Sequence, residues 1–108
     1  MMNNSFGITD KSYNLIQNAL HQFPEIETVY IFGSRAMGYY RKGSDIDLAV
    51  AGEAVTEKVR GRLSTLLNEE IPIPYYVDVL HYEMIVESAL KAHIDEEGRV
   101  FYEKSYVL

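Results

Sequence analysis

Residues 45–51, Asp-Ile-Asp-Leu-Ala-Val-Ala, restrict the fold more than any other stretch. Acid and apolar residues alternate at its start. Side chains on a strand alternate between faces, so Asp45 and Asp47 share one face while Ile46, Leu48 and Val50 point into a core on the other. Two more short runs of strand formers flank it: Glu-Thr-Val-Tyr-Ile-Phe at 27–32 and Tyr-Tyr-Val-Asp-Val-Leu-His at 75–81. Between and around them the apolar period lengthens to that of helices. Tyr13, Ile16, Ala19, Leu20 and Phe23 predict a helix over 10–23, with Asp10 as N-cap and Pro24 as its stop. Val55, Val59, Leu63, Leu66 and Leu67 predict a second over 55–70, despite Gly61. Ile85, Ala89 and Ile94 predict a third over 83–96, stopped by Gly98. Residues 35–44 read as a short helical turn and a loop, and Val100 to Glu103 as a short last strand or tail. The order implies an α/β (α+β) fold, a small mixed β-sheet with helices packed against it, in one domain over residues 1–108. Only Met1 to Ser5 give no reason to be ordered.

Several function classes drop out. Without cysteine there is no disulfide, no thiolate zinc site and no cysteine catalysis, which fits a reducing, cytoplasmic setting. The N-terminus carries no signal-peptide pattern, and no apolar run nears the roughly 20 residues that span a bilayer. A formal net charge of −6 argues against general nucleic-acid binding, because an acidic surface repels polyanions. Neither a Walker A string nor a dinucleotide fingerprint is present.

The acids ask for an explanation. Ionised Asp45 and Asp47 side by side repel and raise each other's pKa, a conflict that a divalent cation removes. On its own the pair also fits an exposed strand edge. Asp78 lies inside a run of strand formers, where an unpaired carboxylate costs several kcal/mol. A salt bridge to a lysine or arginine would satisfy it. Alternatively, adjacent strands would bring Asp45, Asp47 and Asp78 to one face, an arrangement suited to two-metal phosphoryl chemistry. Gly33-Ser34 sits between a strand and a short helix, where glycine admits a close ligand and serine can donate to phosphate oxygens.

The interval joins these pieces. Gly33-Ser34, ten residues, then Asp45-Ile-Asp47 resembles the signature of the DNA polymerase beta-type nucleotidyltransferase superfamily. Phe-Gly-Ser-Arg-Ala-Met-Gly from Phe32 and Gly-Ser-Asp-Ile-Asp-Leu from Gly43 resemble its minimal branch, the MNT proteins, as do Tyr76–Leu80 and the tail from Ile94 to Glu103. The resemblance implies that fold, two Mg²⁺ ions, and transfer of NMP, with ATP the commonest donor, from an NTP to an acceptor hydroxyl. It implies that Gly33 and Ser34 hold the β- and γ-phosphates, that Asp45 and Asp47 bind the metal pair, and that Asp78 ligates the catalytic metal and helps deprotonate the acceptor. Arg35, Arg41, Lys42 and Ser44 are further candidates on the triphosphate side, and Tyr39 and Tyr40 for stacking on base or acceptor. His21, His81 and His93 lack ligand spacing and read as structural or surface residues.

MNT proteins are often paired, as antitoxins, with helical HEPN toxins, so the resemblance also implies a HEPN partner modified with AMP. Two alternatives stand beside it: a non-catalytic antitoxin that inhibits its partner by binding, and a homodimeric enzyme acting on a small molecule. A terminal transferase acting on RNA fits less well, since the chain has no basic tract. The complete acid set favours catalysis.

Overall fold

The computed structural model describes residues 4–105. Its centre is a four-stranded sheet of β1 (Thr28–Phe32), β2 (Ile46–Ala51), β3 (Val77–His81) and β4 (Arg99–Glu103), in the order β3-β2-β1-β4. β1 runs antiparallel to both β2 and β4, and β2 runs parallel to β3. The helices are α1 (Asp10–His21), α2 (Ser34–Met37), α3 (Glu57–Thr65) and α4 (Ser88–Glu97). A mixed sheet with packed helices is the architecture expected.

The sheet has one thickly and one thinly covered face. Val29 and Ile31, Ile46, Leu48 and Val50, and Val77 and Val79 form the thick side with Ile16, Ala19 and Leu20 of α1 and Val59 and Leu63 of α3. The opposite face carries a smaller cluster in which Phe32 and Ala49 meet Ile94 of α4, with Tyr30, Leu80 and Leu90 around it. Alanine at position 49 lets that helix approach closely. Tyr82 anchors the helix further: its hydroxyl donates to Asp95 Oδ1 at 2.6 Å, and that bond pushes the phenol up to about 12.

Element ends differ from expectation for local reasons. Thr9, not Asp10, caps α1, its hydroxyl accepting from the Ser12 amide. The expected helix over 55–70 divides into α3 and a π turn, Leu66–Glu70. That turn presents Asn68 to the edge of β3, where its amide donates to Val77 O and accepts from Val77 N, each at 2.8 Å. The expected helix over 83–96 also divides. Tyr82–Met84 form a 3₁₀ turn, Ile85 to Glu87 are extended, and α4 begins at Ser88. Of the three residues assigned to its apolar stripe only Ile94 is buried, while Ala89 is exposed. The last strand is real, and a bulge lets Phe101 and Tyr102 both bury their side chains.

The expected loose start, Met1 to Ser5, lies outside the described residues for Met1, Met2 and Asn3. The chain from Asn4 onward is fastened. The Asn4 side chain donates to Ile8 O and accepts from the Phe6 and Ile8 amides, while Phe6 and Ile8 enter the core. Among the described residues no helix is long and apolar enough to cross a membrane.

Asn68→Ala leaves both Val77 backbone groups without their partner on a strand edge. A loss of about 2 kcal/mol is expected, read as a lower midpoint in urea with an unchanged slope. An unchanged midpoint would show that the Asn68 bridge does not hold β3.

Candidate active site

The site grows out of strand register. Phe32 pairs with Asp47 across β1 and β2, and Asp47 pairs with Asp78 across β2 and β3, so three neighbouring strands present these residues level with one another. Adjacent strands lie about 4.8 Å apart. Asp47 shares its face with Ala49, the thinly covered one, while Ile46 and Leu48 are fully buried on the other. Asp45 is exposed and lies one residue before β2 begins, on the same approach.

Gly33 is placed by necessity. Its φ is 75°, a left-handed value that side chains disfavour, and a Cβ there would overlap Asp47 Oδ2. The glycine backbone is therefore pressed against a carboxylate of the neighbouring strand. Ser34 follows as the first residue of α2, half-buried, and Gly38 closes that turn in the left-handed conformation.

Asp47 feels both of the other acids. Burial, then the charge of Asp78, then that of Asp45, push the Asp47 carboxyl up to about 6, against a partial offset from His93. Among the described residues none of the three aspartates forms an ion pair. The salt-bridge reading of Asp78 fails because the nearby guanidinium, Arg60, is held by Glu57 at 2.6 Å and donates to Val79 O. Equally, no three carboxylate or imidazole groups among the described residues close into a cage that could hold a metal unaided. Mg²⁺ commonly takes one or two protein carboxylates and completes its shell with substrate phosphates and water. An uncompensated carboxylate set beside a glycine cradle fits that ion bound together with a triphosphate.

The remaining candidates separate. Arg35 is 1% exposed, and its guanidinium is engaged by protein carbonyls: Ser44 O at 2.9 and 3.1 Å, Phe6 O at 2.9 Å and Gly7 O at 3.3 Å. It is stacked between the rings of Tyr40 and Tyr75. Arg35 is thus a structural clamp and is withdrawn as a phosphate ligand, and Tyr40 is withdrawn with it from base stacking. Ser44 fastens its own loop, its hydroxyl accepting from the Arg41 amide at 2.8 Å. Arg41, Lys42 and Tyr39 are exposed. His93, which its spacing in the sequence left outside the site, lies close to it. This half-buried residue of α4 stands edge-on to Phe32, with 6.2 Å between ring centres, and its charge acts on Asp47. Only the packing of α4 onto the thin face reveals it.

The family model described as polymerase beta, nucleotidyltransferase, matches residues 14–106. The chain belongs to this nucleotidyltransferase family. It is 30% identical over 102 residues, 94% of this chain and 81% of the relative, to a Haemophilus influenzae protein described as a probable protein adenylyltransferase, MntA. Its fold resembles that of a toxin–antitoxin crystal structure with AMP-PNP, at a TM-score of 0.68 and 23% identity, covering 85% of this chain and 73% of that one. It also resembles a structure of a tri-AMPylated Shewanella oneidensis HEPN toxin in complex with MNT antitoxin, at 0.63 and 21%, covering 87% and 71%.

The raised pKa has a stability consequence. Between the ordinary carboxyl value of 3.8 and about 6, folded Asp47 holds a proton that the unfolded chain has released. Stability contributed by this group is therefore present at low pH and lost as pH rises through that window. Asp47→Asn should match the parent in stability near pH 3.5. At pH 7.5 it should exceed it by about 1–2 kcal/mol after allowance for the half-exposed setting. Thermal melts of both proteins at the two pH values check this, and an equal gap at both would dismiss the electrostatic origin.

Proposed function

We propose that this protein is a Mg²⁺-dependent adenylyltransferase that moves AMP from ATP to a hydroxyl of a HEPN-type partner protein, acting as the antitoxin of that pair in the cytoplasm. The observation that carries the reading is the level pairing of Asp47 with Asp78 beside Gly33, with Asp45 in electrostatic reach. The family supplies the reaction class. The names of the relatives supply adenylyl transfer and the toxin partner.

In this reading Gly33 and Ser34 receive the β- and γ-phosphates, and exposed Lys42 and the Ser44 hydroxyl lie on the triphosphate side. Asp45 and Asp47 would hold the ions that accompany the triphosphate, and Asp78 would supply a further carboxylate on the acceptor side. Bound Mg²⁺ would neutralise charge on the phosphates and lower the cost of ionising the acceptor hydroxyl. The protein's own contribution is positioning. The acceptor oxygen forms a bond to the α-phosphorus, the bond to the bridging β-phosphate oxygen breaks, and pyrophosphate leaves with the electron pair. The hydroxyl proton passes by way of the Asp78 carboxylate to water. Alignment of acceptor and leaving group accounts for much of the rate in such transfers.

The three aspartates favour catalysis over inhibition by binding alone. Their repulsion destabilises the empty protein, and a pure inhibitor would gain nothing from keeping it. The test is co-expression with a HEPN-type protein encoded beside this chain, followed by mass spectrometry of the partner. One or more AMP additions are expected, lost with Asp78→Asn while the complex persists. A partner that co-purifies without ever gaining mass would leave inhibition by binding as the function.

A further inference from the structure

Beyond Asp78 the thin face runs into a groove of about 470 Å³ between α3, the outer side of β3 and residues 84–90. Asp78 itself is one of its lining residues, so the groove adjoins the candidate catalytic face. Along it run Met84 and Leu90, with Val86 on the extended stretch between the 3₁₀ turn and α4. Val86 is 95% exposed and Met84 67%. Single exposed apolar residues are ordinary, but apolar residues grouped along a groove mark binding surfaces.

The charges narrow the occupant. The groove is lined by three carboxylates, Glu57, Asp78 and Glu87, against one guanidinium, and Glu57 is already paired with it. Glu87 is exposed beside Val86 and makes no capping bond at the start of α4. A polyanion is disfavoured there, and so is an acidic peptide. A polypeptide segment with an apolar side chain for the Met84–Val86–Leu90 surface and a lysine or arginine for Glu87 is favoured.

We infer that this groove seats the acceptor: an extended segment of a second protein, apolar and basic, that delivers its hydroxyl past Asp78 to the bound nucleotide. The inference rests on the adenylyl-transfer reading and adds to it where the acceptor lies and which residues select it. Met84, Val86 and Glu87 bind the segment and take no part in the chemistry.

The test uses the full chain and three synthetic peptides of equal length, each with a central tyrosine. One is flanked by leucine and lysine, one by leucine and glutamate, and one by glycine and serine. Peptide binding is read by fluorescence anisotropy, AMP transfer from α-labelled ATP with Mg²⁺ by incorporation, and Mg²⁺–ATP binding by calorimetry. The leucine–lysine peptide should bind at least tenfold more tightly than the other two and be labelled with a correspondingly higher kcat/KM. The double variant Met84→Ser, Val86→Ser should lose about tenfold of that peptide affinity. Glu87→Lys should reverse the preference toward the leucine–glutamate peptide. Both variants should bind Mg²⁺–ATP as the parent does, since neither touches the aspartates or Gly33. Equal affinity for all three peptides, or an undiminished affinity in the serine variant, would overturn the groove assignment even if a protein partner is modified. Failure of the parent chain to bind Mg²⁺–ATP would instead overturn the transfer reading, and selective peptide binding would still uphold the groove.

Discussion

A buried guanidinium holds the working end of this molecule together. Arg35 projects from a four-residue helix into a cage of carbonyls supplied by Phe6, Gly7 and Ser44, and two tyrosine rings close over it. A buried cation is tolerated only when its donors are satisfied, and here the donors fasten three segments at once. The strap at residues 4–8 is drawn onto the sheet, the turn after Gly33 is held shut, and the loop that ends at Ser44 is fixed directly ahead of Asp45. Short helices and glycine-rich loops have little order of their own. The rigidity of the turn after Gly33 is therefore imported from the arginine cage.

What that cage fixes is a destabilising arrangement. Asp47 is held half-buried with two like charges nearby and, among the described residues, no ion-pair partner, so the folded protein carries a repulsion that the unfolded chain escapes. The thick side of the sheet tolerates this because its core is continuous, from α1 through the strands to α3. The thin side cannot bury the acids further. α4 covers only the part where Ala49 and Phe32 offer apolar contact, and the acid end stays open. Division of one sheet into a stabilising face and a face available for chemistry follows from the period-2 alternation in residues 46–50.

That alternation is why so much was legible in the sequence. Ile46, Leu48 and Val50 declared the core face, and the acids declared the other. The Gly-Ser interval then fixed the neighbours through a family pattern. The unread parts depend on contacts that no local period records. Arg35 looked like a phosphate ligand because it follows Gly33-Ser34, yet its fate is decided by carbonyls at residues 6 and 7, remote in sequence. His93 lacked any ligand spacing and reaches the site only because α4 folds back over β1. The helix expected over 83–96 gives way at Glu83, which is tied to another part of the chain. Glu83 accepts from the Gly52 amide at 2.9 Å, which stops the early turns from joining α4.

The parallel pairing of β2 with β3 links the face that carries the aspartates to the groove beside it. A parallel pair cannot be joined by a tight hairpin, and the chain must cross over the sheet and return. Here the crossover is α3 and its π turn, packed on the thick side. Because the return strand enters in the same direction as β2, Asp78 arrives level with Asp47 without any reversal of register. The return also makes β3 an edge strand, and an open edge invites aggregation. The crossover covers part of that edge with its own side chains: Asn68 pairs with Val77, and Arg60 donates to Val79 O. Sealing thus ends near Val79, where the groove passes toward Met84 and Val86. The same topological step that aligns two aspartates leaves an open groove next to the second of them.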